Sequence, residues 1–159
     1  YIKSCTPETA AKLISLYHKL RPNQVVEPTI RELVFDLIPG AGFPSGCVLM
    51  LDPHRKVLAP VLKFGSVPPE RLKSVSLNSV ASQFDIIASA FSCKSPLTEQ
   101  FTDPISKKKM VIAAALGTAT PIGVLYLEST EESLALAGKD PVQTFRALRQ
   151  SLNDCLNLR

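Results

Sequence analysis

The stretch VIAAALGTATPIGVLYLES, residues 111 to 129, constrains the fold more than any other part of this chain. Two apolar runs, 111–116 and 122–127, are held apart by Gly117, Thr118, Ala119, Thr120 and Pro121. Neither run approaches the roughly 18 apolar residues of a bilayer-spanning helix, and both are too continuous for strands with one face in water. The pattern predicts an antiparallel hairpin at the centre of a sheet, with Glu128 ending its second strand in water. Ala113, Ala114 and Ala115 leave room beside the first strand for packed helices or for a ligand.

The remaining sequence supplies a core for such a sheet. At 159 residues, 45% apolar and 20% charged, the chain has the composition of one globular domain. Its net charge of +4 comes from 18 basic and 14 acidic residues scattered without blocks. Aromatics are 6% and Trp is absent, so the stacking platform of a nucleic-acid binder is missing. Lys107, Lys108 and Lys109 read as a solvated loop before a strand. Cys5, Cys47, Cys93 and Cys155 form no Cys-x-x-Cys pair, which removes a zinc ribbon and a thioredoxin-type motif. They are expected to be reduced cytosolic thiols. With no signal-peptide pattern, the expectation is a soluble, cytoplasmic protein that acts on neither nucleic acid nor membrane. The first residue is Tyr1, which suggests a fragment whose neighbours carry part of the function.

Thr6 and Pro7 predict the start of a helix with Ala10, Leu13, Ile14, Tyr17 and Leu20 on one face. A second apolar stripe, Ile30, Leu33, Val34, Leu37 and Ile38, predicts a helix that stops before Pro39. The run 47–51, the turn Asp52-Pro53-His54-Arg55 and the run 57–64 predict a hairpin, in which Pro60 requires an edge or a bulge. Residues 73–77 read as a short third strand. Asn78 or Ser79 is a candidate cap for a helix carrying Val80, Phe84, Ile87 and Phe91, followed by a loop to Phe101. Asp140 and Pro141 open a terminal helix with Val142, Phe145, Leu148, Leu152 and Leu156 along one side.

Two N-terminal helices, the hairpin GCVLMLDPHRKVLAPVLKFG, a short strand, a helical connection, the pair MVIAAALGTATPIGVLYLES and a terminal helix resemble a GAF domain, a small-molecule sensor module. The segment PIGVLYLES is the most specific part of the match, which covers roughly residues 26 to 158; residues 1–25 are assigned to a connector helix and 26–159 to the sensor domain. Ala115-Leu116 stands where the family often has Pro-Leu. The Asn-Lys, Phe and Asp-Glu motif of cyclic-nucleotide-binding members is absent before Met110. Asp85-Ile86-Ile87 and Cys93-Lys94 depart from the bilin-binding pattern, so neither cyclic GMP nor a bilin is expected, and no cofactor is assigned.

The resemblance implies an α+β fold: a central antiparallel sheet with terminal helices packed on one face and a helix/loop lid over the other. It places a ligand pocket near Ser76, Asn78, Phe84, Asp85, Phe91, Cys93 and Met110. It also implies a non-catalytic regulatory domain that binds an unidentified small molecule, forms a homodimer through its terminal helices and adjoins an output domain in a bacterial signalling protein. A degenerate domain used for dimerisation alone is the first alternative. The second is a Cys-dependent reductase of free methionine sulfoxide, which needs an attacking and a resolving thiol in reach of each other. His18 and His54 lie in settings that offer no Ser-His-Asp or metal chemistry, and no metal site is expected.

Overall fold

Antiparallel strand pairing organises the chain around the hairpin that the sequence singles out. The structure is a computed structural model that describes residues 5–21, 24–67, 74–77, 85–93, 95–103, 107–138 and 140–156, with the backbone alone for 101–103 and 107–108. Six strands, β1 (Ser45–Asp52), β2 (Val57–Phe64), β3 (Val75–Ser76), β4 (Leu97–Asp103), β5 (Lys107–Leu116) and β6 (Gly123–Thr130), form one sheet in the order β3-β2-β1-β6-β5-β4. The helices are α1 (Pro7–Lys19), α2 (Glu27–Glu32), α3 (Ile38–Gly40), α4 (Ile86–Phe91) and α5 (Pro141–Cys155), with a 3-10 turn at Ser133–Ala137. This is the expected α+β architecture.

Alternation along the strands builds two cores. Val48, Ile112, Ala114, Leu125 and Leu127 face one side, where Leu13 and Leu16 of α1, the Ile30–Ile38 stripe and Phe145, Leu148 and Leu152 of α5 cover them. Phe43 meets Phe145 edge-on, with ring centroids 6.3 Å apart. Cys47, Leu49, Leu58, Val111, Ala113, Val124 and Tyr126 face the other side, under Ile86, Ile87 and Ala90 of α4. Both faces of the central strands are thus closed by apolar side chains, which accounts for runs that do not alternate with polar residues.

Local chemistry sets the element ends. Thr6 caps α1 by accepting from the Thr9 N–H, and Asp140 caps α5 by accepting from Val142 and Gln143, each ahead of a Pro at the first helical position. In the β1–β2 turn, Asp52 Oδ1 accepts from the N–H groups of His54 and Arg55. Pro60 sits at a bulge: the register shifts between Val48 and Leu49, and the extra residue Val61 turns outward, 55% exposed. The missing Pro60 N–H therefore falls where the ladder is already irregular.

Several expectations are corrected. Ile14 is 52% exposed, because the buried line of α1 runs through Thr9, Leu13 and Leu16. The second helix does not stop before Pro39; the five residues from Leu33 to Leu37 form a wider turn in which the Ile38 N–H reaches Leu33 O, and helix continues to Gly40. That widening shifts the pairing by one residue, so Pro39 sits where its absent N–H is not needed. Residues 97–101, read as loop, belong to edge strand β4; Thr98, Glu99 and Gln100 are exposed and carry no apolar pattern. Lys107 to Lys109, also read as loop, pair with Asp103 to Phe101 as the start of β5. Glu128 does not end in water: it is 3% exposed and accepts a hydrogen bond from the Tyr126 hydroxyl on the same face, which compensates its burial.

Two features yield predictions. A Cβ on Gly123 would collide with the Leu49 carbonyl oxygen and lie 2.9 Å from Met50 Sδ, so Gly123→Ala should cost about 1–3 kcal/mol of stability in urea unfolding. The Tyr17 hydroxyl of α1 donates to Asp154 Oδ2 of α5. Burial and that carboxylate raise the Tyr17 pKa from 10.0 to about 12. The raised folded value means that this contribution is whole below the unfolded pKa and is lost as pH rises through the folded one. Tyr17→Phe should therefore lower stability by about 1 kcal/mol at neutral pH. The gap between wild type and variant should close between roughly pH 10 and 12 in unfolding titrations.

Candidate functional site: a cavity between α4 and α5

A mismatch in strand length opens the site. Pairing of β5 with β4 ends at Ala113 opposite Leu97, whereas pairing of β5 with β6 continues to Leu116 opposite Gly123. The last residues of β5 thus run past β4, between the end of α4 and the flank of α5. A cavity of about 520 Å³ occupies this notch, lined by Phe91, Ser92 and Cys93 after α4, by Ala115 and the 117–121 turn, and by Arg149, Gln150 and Asn153 of α5. Its volume lies within the range of small-molecule sites.

The turn that closes one end has a fixed shape. Gly117 adopts φ +102°, and a Cβ there would meet the Thr120 carbonyl oxygen, so the position demands glycine. The Ile122 N–H closes the turn onto Leu116 O at 2.9 Å. The Gly117 N–H donates to Asn153 Oδ1, also at 2.9 Å, which pins the turn to α5.

Asn153 is only 4% exposed and lines the cavity. Its Oδ1 is held by Gly117, which orients the carboxamide and leaves Nδ2 without a partner among the described residues. One helical turn earlier, Arg149 supplies the positive charge of the lining, which contains no Asp or Glu among the described residues. Gln150 Nε2 is directed to Asp154 Oδ1 at 3.1 Å, so both oxygens of Asp154 are engaged, one by Gln150 and one by Tyr17.

Of the residues singled out from the sequence, the structure brings Phe91 and Cys93 together in this cavity. Asp85 is the cap of α4, its Oδ1 accepting from the Ile87 N–H at 2.8 Å. Ser76 lies on edge strand β3 opposite Val57, exposed. Met110 packs with the helices of the opposite face, because its position in β5 is out of phase with Val111 and Ala113. Asn78 and Phe84 lie outside the described residues. Sequence reasoning missed Asn153 and Arg149. Their spacing of four places them on one face of α5, and that was the available signal.

The cysteines divide by environment. Cys47 and Cys155 are fully buried, Cys5 is partly buried, and Cys93 is exposed at the cavity. Burial raises the thiol pKa of Cys5, and burial and Asp154 push that of Cys155 up to about 12. None of the four is in a disulfide, and no group of three His, Cys, Asp or Glu side chains among the described residues is placed to hold a metal ion. Alkylation of the native protein should modify Cys93 first and Cys5 more slowly, leaving Cys47 and Cys155 protected until unfolding. Peptide mass spectrometry over a time course checks this order, and early labelling of Cys47 would contradict it.

No family model matches the sequence, and no curated protein matches it. Solved structures do. The GAF domain of A. aeolicus nlh2 in an inactive state aligns with a TM-score of 0.65 at 13% identity, covering 99% of this chain and 98% of that one. The GAF domain of an Acinetobacter phosphoenolpyruvate-protein phosphotransferase aligns with a TM-score of 0.59 at 10% identity, covering 96% and 94%. Free methionine-R-sulfoxide reductase from Neisseria meningitidis, in complex with its substrate, aligns with a TM-score of 0.58 at 12% identity, covering 97% and 95%. The chain has the GAF-domain fold. No helix of the described residues is long and apolar enough to cross a membrane.

Proposed function

We propose that this chain is a non-catalytic sensor domain of a signalling protein, in which a small molecule occupies the cavity between α4 and α5. The observation that carries this reading is that terminal helix α5 is at once a wall of the cavity, through Arg149 and Asn153, and a core element, through Phe145, Leu148 and Leu152. A ligand that draws on the cavity side of α5 shifts the population of its positions, which is how occupancy reaches an adjoining output domain and the second copy of a homodimer built on the terminal helices. The GAF folds of the nlh2 and phosphotransferase proteins support the sensor assignment.

Sulfoxide reductases share the fold, but Cys47 is enclosed in the core under α4 whereas Cys93 is exposed at the cavity, an arrangement that favours binding over thiol chemistry. Incubation with free methionine-R-sulfoxide and dithiothreitol should give no turnover; steady reduction of the sulfoxide would contradict the non-catalytic reading.

A thermal-shift screen of small metabolites tests the sensor role. A true ligand at about 100 times its Kd stabilises by roughly 2.7 kcal/mol, which raises the melting temperature by several degrees in a domain of this size. Stabilisation by at least one metabolite and sedimentation as a dimer are expected. No stabilisation by any metabolite would leave a dimerisation scaffold, and a monomer at high concentration would remove the dimer.

A further inference from the structure

The carboxamide of Asn153 stands out among the buried polar groups. Its Oδ1 accepts from the Gly117 N–H, which fixes the orientation of the carboxamide at the wall of a cavity and leaves the Nδ2 donor open to that cavity. The other polar groups of the lining include the Arg149 guanidinium and the Ser92 and Thr118 hydroxyls, and the described lining carries no acidic side chain. A donor-rich, positively charged wall of this kind is complementary to a group that only accepts hydrogen bonds.

We infer that the cavity takes a small organic carboxylate, one oxygen received by Asn153 Nδ2 and the charge met by Arg149, with its apolar part against Phe91, Ala115 and Pro121. One feature selects a carboxylate over inorganic phosphate. The lining pairs its donors with this apolar surface, which a compact hydrophilic anion does not use. This inference rests on the ligand-sensing reading and adds the chemical class of the ligand.

The test is a 1H–15N NMR titration with propionate and with benzoate, each against its own amide and against inorganic phosphate at matched ionic strength. The acids should move the Asn153 side-chain NH2 and Gly117 N–H resonances saturably, with the amides at least tenfold weaker. Asn153→Asp keeps an acceptor for Gly117 N–H but replaces the free donor with a repelling oxygen. Arg149→Gln, on the half-buried flank of α5, removes the charge and serves alone if the first variant does not fold. Each should weaken acid binding by about tenfold or more, the loss of one charge-assisted hydrogen bond.

Equal binding of acids and amides, tighter binding of phosphate, or unchanged affinity in a folded variant would overturn the carboxylate assignment. Silence toward both acids would overturn it as well. The ligand-sensing reading falls separately, only if the metabolite screen also finds no stabilising compound of any class.

Discussion

Everything in this fold is positioned by the enclosure of β6. Seven consecutive residues, Gly123 to Ser129, are buried, because the strand pairs with β1 on one edge and β5 on the other while helices cover both faces. No residue of that run faces water, so each of its polar groups must find a partner inside. Ser129 Oγ donates to Met110 O, and Tyr126 donates to Glu128. Close approach of β1 is possible because Gly123 and Gly46 have no Cβ to meet the Leu49 and Tyr126 carbonyl oxygens. The terminal helices and α4 then lie where the two faces of this strand and its neighbours need cover.

The cavity follows from the same geometry. Since β6 holds β5 to its last residue while β4 begins only opposite Ala113, the end of β5 runs past its outer neighbour, and the cavity is lined there by residues after α4 and on α5. Adjacent residues of α5 face different partners there: Asn153 holds the turn at Gly117, and Asp154 receives Tyr17 of α1. One helical turn thus joins the cavity, the end of the central hairpin and the N-terminal helix. A group bound at Asn153 acts on a segment that is already tied to both.

Most of the fold was legible because it is written in apolar periodicity and in backbone chemistry. Alternating burial was hidden in runs such as MVIAAAL, yet their length, their interruption at Gly117 and the flanking Pro121 fixed them as strands. Pro60 announced its bulge, and Thr6 and Asp140 announced their helices. Edge strand β4 was illegible because an exposed Thr98-Glu99-Gln100 segment carries no apolar signal and gains its order from pairing with β5. Glu128 was misread for the converse reason: its burial depends on a hydroxyl two residues away and on the sheet face, neither of which hydropathy reports. The site was legible in part. Phe91 and Cys93 line the candidate cavity, whereas Met110 packs on the face of the terminal helices, and Arg149 and Asn153 were not singled out because a helical stripe identifies the side facing the core and says little about its flanks.

Whether α5 serves both as a core element and as the wall of a binding cavity is decided by hydrogen–deuterium exchange of the intact chain with and without saturating propionate. Slow exchange throughout β6 is expected in either condition, with added protection confined to the 117–122 turn and the 149–156 end of α5. Unchanged exchange in those two segments, or protection centred instead on the β1–β2 side of the sheet, would contradict it.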